Sequence, residues 1–280
     1  MIFEFGQNAY VKKSSLDVSA EVGKIVAKKV EVLDLKTRFF LRNGLATFQK
    51  LDFGIHQGQI STTASLNINE RQPSYQFKGK VSQLDLKTAV ESQMVSFKNT
   101  AFGSLSLDIQ GSGRSLNPEL AKKNLLLDGK MNIDQGEFSS IDVAKMSSDA
   151  INQAIQRVSK KVGQLKDKKV KKLPERSSKY EKIHSDFKIQ SGKFVAPNLI
   201  AQALEKKGID LQGYTEFGIL DQKIHAKWKV VDRYNLTRAK NLSVKIKGIE
   251  VKEILASGNP PVVSFPVTVK GTLDDPQYSY

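Results

Sequence analysis

Short runs in which apolar and polar residues alternate recur along this chain. Ser104-Leu105-Ser106-Leu107-Asp108-Ile109-Gln110 carries an apolar side chain at every second position. Leu66-Asn67-Ile68, Tyr75-Gln76-Phe77 and Lys130-Met131-Asn132-Ile133 do the same. The clearest case is Ile224-His225-Ala226-Lys227-Trp228-Lys229-Val230, followed by Val244-Lys245-Ile246-Lys247. Successive side chains of a strand point to opposite faces. Each run therefore has one apolar face and one wet face, as strands of antiparallel sheets often do.

Turn chemistry separates the runs. Asn43-Gly44 lies between Phe39–Arg42 and Leu45–Phe48, and a type I′ hairpin turn needs positive φ at both central residues. Gln57-Gly58, Gln135-Gly136 and Ser191-Gly192 punctuate later runs in the same way. This predicts a meander of hairpins with little room for parallel crossovers. Leu125–Gly136 resembles Ser185–Gly192, each a strand leading into a glycine turn, which reads as repeated sheet architecture.

Helical signals are few. Leu86 to Val95 predicts a short helix, and Asn117-Pro118-Glu119-Leu120 has an N-cap residue before proline at the first helical position. Asn198 to Lys207 predicts another, ended by Gly208. The longest runs from Ile141 to about Leu173, where Val143, Met146, Ala150, Ala154, Val158, Val162 and Leu165 recur at helical spacing. Its later part carries Arg157, Lys160, Lys161, Lys166, Lys168, Lys169, Lys171 and Lys172. Residues 1–280 thus read as a single mainly β domain: one long antiparallel sheet, a few short helices and a longer amphipathic basic helix inserted at about 141–175.

Groupings that carry chemistry are missing. His56, His184 and His225 are scattered, with no partner at metal-ligand spacing. The sequence holds no cysteine, which excludes disulfides and thiolate sites. Asp274-Asp275 sits in a terminal turn pattern. Gly111-Ser112-Gly113-Arg114 lacks the spacing of a phosphate loop, and no nucleophile elbow occurs. The expectation is a protein that is not an enzyme, with no catalytic residue, no cofactor and no metal.

The formal net charge is +15, which favours anionic partners. The basic helix has two readings: a solvated face of a helix packed on the sheet, or a surface for anionic phospholipid head groups. In the second, Arg157, Lys160, Lys161, Lys168, Lys169, Lys171 and Lys172 make the contact. Without an RNP-like aromatic pair or a helix-turn-helix signal, nucleic acid is not an expected partner. No run approaches the length of a membrane span. Met1-Ile2-Phe3-Glu4-Phe5 lacks the order of a signal peptide, so any membrane anchor is expected outside this chain.

A sheet with one apolar face must cover it with a second sheet, helices or lipid. Few helices are predicted, and an apolar groove left wet is costly at about 25 cal/mol per Å2. This favours a partly closed groove with Ile141–Leu173 as lid or plug. Its candidate lining is Phe39, Leu41, Phe53, Ile55, Tyr75, Phe77, Leu105, Leu107, Ile109, Met131, Ile133, Phe187, Ile189, Trp228 and Val230.

From about Leu33 to its end the chain resembles the C-terminal region of the AsmA family. Phe39–Phe48 with its Asn-Gly turn leads to Leu51-Asp52-Phe53 and Gly58-Gln59-Ile60, in the family's order. Pro73–Phe77, Gly79 and Val81–Leu86 follow, then Gly103–Gly113, Leu127–Lys130, Gly136-Glu137-Phe138 and Ile141-Asp142. Pro266–Pro276 is similar to the family's closing motif; the basic segment departs from its pattern. The resemblance implies a curved, taco-like sheet sheltering acyl chains, phospholipid transport and outer-membrane biogenesis. It also implies a periplasmic, soluble part of a protein anchored in the inner membrane, with phospholipid and other envelope proteins as partners. A structural factor that pairs its sheet edge with an envelope protein stands as the alternative.

Overall fold

The computed structural model describes residues 13–27, 30–93, 101–138, 142–162, 178–204, 208–232, 245–246, 249–250, 256–257, 262–272 and 275–279. Alternation becomes strand almost everywhere. The chain runs through β1 (Ser15–Ala27), β2 (Val30–Arg42), β3 (Leu45–Ile55), β4 (Gly58–Asn67), β5 (Ser74–Asp85) and β6 (Ala101–Arg114). It continues through β7 (Leu126–Phe138), β8 (Lys179–Gln190), β9 (Lys193–Ala203), β10 (Ile209–Gly218) and β11 (Lys223–Asp232). These eleven pair in chain order, each antiparallel to the next. A small hairpin, β12 (Lys245–Ile246) and β13 (Ile249–Glu250), stands apart. After β14 (Ala256–Ser257), β15 (Val262–Thr272) pairs β11 on one side and both β14 and β16 (Pro276–Ser279) on the other. Among the described residues one open, curved antiparallel sheet of fourteen strands results.

The turns explain the register. Asn43 and Gly44 take φ of 50° and 71°, the conformation that a type I′ turn requires, and Arg42 pairs Leu45. Ser191 and Gly192 do the same between β8 and β9. The second predicted turn lies one residue earlier than expected: His56 and Gln57 carry the positive φ, and Gly58 opens β4. Glycine stands there for a different reason, since a Cβ would lie 2.7 Å from Leu84 Cα. Gln135-Gly136 is not a turn at all. β7 runs through it to Phe138, and Gln135 at φ 52° marks an irregularity where the β6 register shifts. The supposed likeness of Leu125–Gly136 to Ser185–Gly192 fails there, because only the second glycine ends a strand. Asp34 and Gln83, also at positive φ, mark shifts in β2 and β5. Such bulges bend strands and raise local twist, which suits a curved sheet.

Among the described residues three helices accompany the sheet: α1 (Leu86–Gln93), α2 (Pro118–Asn124) and α3 (Val143–Val162). Each begins at an acidic or amide cap. Asp85 Oδ1 accepts from Thr88 N at 2.8 Å and Asp142 Oδ1 from Lys145 N at 2.8 Å. Asn117 Oδ1 accepts from Glu119 N and Leu120 N, with Pro118 in the first turn. Residues 94–95 of the first predicted helix and 163–173 of the longest lie outside the described residues. The helix expected over Asn198–Lys207 is not formed over 198–204, and 205–207 lie outside the described residues. Residues 198–203 belong to β9, where Ala201 pairs both Ile183 and Leu211. A short apolar run is ambiguous by period, and two waiting strand neighbours decided it.

Candidate functional site: an apolar face across the sheet

Because directly paired residues of an antiparallel ladder share a face, the register assigns every side chain to one side. Successive partners trace an unbroken row: Val18, Phe39, Phe48, Ala64, Phe77, Gly111, Leu127, Ile189, Phe194, Phe217 and Ile224. It takes one residue from each strand from β1 to β11. At about 4.8 Å per strand it is about 50 Å long. Leu16, Leu41, Ala46, Leu66, Tyr75 and Gly113 make a flanking row, and Phe53, Ile60, Val81, Leu107 and Met131 another. Rings stack along the main row, Phe39 on Phe48 with centroids 5.4 Å apart and Phe187 on Phe194 at 5.2 Å. The Phe77 ring folds over Gly111, where a Cβ would meet its Cζ at 2.7 Å.

All fifteen side chains predicted to line a groove lie on this face. They do not share one environment. Phe39, Leu41, Phe53, Ile55, Tyr75, Phe77, Leu105, Leu107, Ile109, Met131 and Ile189 are half-buried. Ile133, Phe187, Trp228 and Val230 are buried. Ile133, Trp228 and Val230 belong to a cluster with Tyr180, Ile183, Ala201, Leu211, Ile224, Ala226, Val267 and Val269, all on the same face. α3 contributes Val143 and Met146 to it, the latter with no exposed surface. The Ser147 hydroxyl donates to the Asp232 carboxylate, which is also fully buried. Trp228 Nε1 donates to Thr215 Oγ1 at 2.9 Å, so the indole is satisfied inside the cluster. Around this cluster the C-terminal half of the face is thus closed, while Ile189, Phe194 and Phe217 of the main row stay half-buried. Over its N-terminal half, β1 to β6, the described residues place only α1, whose Leu86 packs with Leu105 of β6 against the edge of that cluster, and Leu16 stays 47% exposed.

Sequence reasoning missed Val18, Phe48, Ala64, Leu127, Phe194 and Phe217 as members of the face. Two signals were present. A two-residue Asn43-Gly44 turn puts Phe39 opposite Phe48, and the Ser191-Gly192 turn puts Ile189 opposite Phe194.

The opposite face is polar. Lysines interleave with carboxylates, as in Lys24–Glu31 at 2.8 Å, Lys50–Asp52 at 3.3 Å, Lys188–Asp128 at 3.4 Å and Lys193–Glu216 at 2.7 Å. Hydrogen bonds from Lys193 and then Tyr214 hold the Glu216 carboxyl below its ordinary range. An open depression of about 860 Å3 on β3 to β7 is lined largely by polar side chains of this face, among them Gln76, Lys78, Gln110, Ser112 and Asp128. Such a lining suits water better than an acyl chain.

Buried polar groups cluster near α3. The Tyr180 hydroxyl is buried and has no hydrogen-bond partner among the described residues. Burial, then the charge of Asp210, pushes it well above the usual tyrosine range. Burial, then Asp142, pushes Tyr278 up to about 12. Among the described residues no group of three histidines or carboxylates is placed to hold a metal ion. No helix among them is long and apolar enough to cross a membrane. On α3, Arg157, Lys160 and Lys161 occupy its last turns, while Lys168, Lys169, Lys171 and Lys172 lie outside the described residues.

A search of curated proteins and one of solved structures returned no significant match. A family model does match. It covers residues 6–205, beginning before Leu33 and ending before β10, so the motif-like Pro266–Pro276 lies beyond it. With most of its length matched, and with a long antiparallel meander over which the matching motifs are strung, the chain belongs to the AsmA family, which is associated with the cell envelope and outer-membrane biogenesis.

Proposed function

We propose that this chain is a non-enzymatic, periplasmic lipid-binding module that carries phospholipid acyl chains on the uncovered N-terminal half of its apolar face. The observation that supports this most is the unbroken apolar row from β1 to β6, half-buried and without a covering layer among the described residues. Exposed apolar surface of that extent marks an interaction site. An acyl chain suits it because the attraction is non-directional and proportional to area. Head groups stay in water at the rim, and no bond is made or broken. Family membership in the envelope supports the compartment.

The test is native mass spectrometry for co-purified phospholipid, together with uptake of a fluorescent phospholipid. Phe48→Asp with Phe77→Asp places two charges on the open row. Loss of lipid with an unchanged circular dichroism spectrum is the expected result. Undiminished lipid in the double variant overturns the reading.

A second reading rests on β1, which pairs only β2 among the described residues and exposes Leu16, Val22, Ile25 and Val26. A thirteen-residue edge strand invites pairing with a strand of an envelope protein. Proline at Ser19 and Glu21 blocks that edge. Loss of a protein partner with lipid retained favours it.

A further inference from the structure

The polar face is not uniformly balanced in charge. From β1 to β10 carboxylates stand among the cations, and ion pairs such as Lys80–Asp108 and Lys193–Glu216 cross its ladders. On β11 the outward positions Lys223, His225, Lys227 and Lys229 follow one another without an acid. On β15 the outward residues opposite them are Thr272, Lys270, Thr268 and Pro266. β15 and β16 contain no carboxylate, and the one carboxylate of β11, Asp232, is fully buried on the other face.

The register brings these lysines together. Lys227 pairs Thr268, so Lys270 is its diagonal neighbour, and Lys229 stands two residues further along on the same side. Such neighbours lie about 7 Å apart. Lys227, Lys229 and Lys270 are exposed, and none has an ion pair among the described residues. The bordering carboxylates are engaged or distant. Asp210, which pairs Val231 beside Lys229, is half-buried and accepts from Ala203 N at 2.9 Å. Glu216 is held by Lys193 at 2.7 Å and Tyr214 at 2.6 Å. Asp221, in the turn before β11, lies 3.8 Å from Lys223, six residues and about 20 Å along the strand from Lys229. Asp275, in the turn after β15, accepts from Gln277 Nε2 at 3.0 Å. Behind the patch, Ala226, Trp228, Val230, Val267 and Val269 pack as core, so it sits on a stiff platform.

We propose that the outward face of β11 and β15, centred on Lys227, Lys229 and Lys270, docks on an anionic phospholipid bilayer. The chemistry of the patch selects that partner. Lysine is a compact point charge on a flexible stem, suited to a fluid array of head groups. Protein interfaces concentrate tryptophan, tyrosine and arginine anchors and deplete lysine, and these outward positions hold none of the three. Single-stranded nucleic acid requires stacking rings, and the adjacent Tyr214 spends its hydroxyl on Glu216 and sets its ring against His225. The patch lies outside the family match, on the face opposite the apolar row. It therefore stands whether or not acyl chains occupy that row.

The experiment is flotation of the whole chain with phosphatidylglycerol–phosphatidylcholine vesicles and with pure phosphatidylcholine vesicles, at low and high salt. Binding to the anionic vesicles alone, weakening as salt rises, is expected. Each lysine contributes a factor of roughly 5. Lys227→Gln, Lys229→Gln and Lys270→Gln together lower partitioning about a hundredfold, with the melting temperature and co-purified lipid unchanged. A second variant with Lys160, Lys161, Lys168, Lys169, Lys171 and Lys172 as glutamine retains a clear response to the triple change. Equal flotation of the triple variant and the parent overturns the proposal. So does a loss that appears only in the second variant, binding to neutral vesicles, or binding of an oligonucleotide where vesicles fail.

Discussion

The two halves of the apolar face are built from the same alternation and meet different ends. In β1 to β6 the row Val18, Phe39, Phe48, Ala64 and Phe77 is half-exposed at best covered by its own neighbours. In β7 to β15 the same row stays half-buried at Ile189, Phe194 and Phe217, but further along the strands Ile183, Ala201, Leu211, Ala226, Val230 and Val269 are buried, and α3 lies among them through Val143 and Met146. No feature of a single strand separates the two. Ile224–Val230 and Ser104–Gln110 read alike, yet Val230 has no exposed surface and Leu107 is half-exposed. The difference lies in a third element that reaches one half and not the other.

Truncation sharpens this contrast most. Trp228→Ala in the closed half costs about 3–5 kcal/mol, because it removes a large side chain and leaves a cavity. Phe48→Ala in the open half costs about 1 kcal/mol, since water already reaches part of the ring. Urea unfolding of both variants checks it, and equal losses would mean that the N-terminal half is covered as well.

Next in size is Ser147→Ala. It takes one hydrogen bond from the buried Asp232 carboxylate and costs about 1–3 kcal/mol. If the loss is negligible by the same unfolding assay, the polar contact is not what seats α3 on the closed half.

Tyr180→Phe works in the other direction. It removes a buried hydroxyl without a partner among the described residues and gains about 1 kcal/mol. The pH dependence follows from the raised folded-state value. The stability that Tyr180 contributes as a neutral group is fully present below the ordinary value of 10.0 and is lost as pH rises through the higher folded one. Tyr278, at about 12, adds to the same alkaline limb. Melting curves from pH 9 upward are therefore flatter in Tyr180→Phe than in the parent. An unchanged alkaline limb would show that the closed half does not seal Tyr180.

The smallest effect belongs to the polar face. Lys188→Ala breaks its pair with Asp128, whose side chain is 58% exposed, and changes stability by less than about 0.5 kcal/mol. A larger loss would make that face a structural layer in its own right.

Much of the fold was legible in the residues. Asn43-Gly44 and Ser191-Gly192 named their hairpins, and a two-residue turn fixes which side chains sit opposite one another. Asn117-Pro118 named α2, and the spacing of Val143, Met146 and Ala150 named α3. The errors came where one dipeptide serves two purposes. Gln135-Gly136 has the chemistry of a turn and lies within a strand, because positive φ is also what a bulge uses. Residues 198–203 held apolar spacing compatible with either period, and only partners on both sides made them strand.

The site followed the same division. By itself the sequence determined that one face would be apolar and the other charged, since side-chain direction in a strand has period two and needs no tertiary information. It also determined where several turns had to fall. The tertiary structure alone decided which part of the apolar face is closed, because burial depends on what packs from above. It also decided which lysines lack acids, because ion pairing runs across ladders whose distant register no single strand contains.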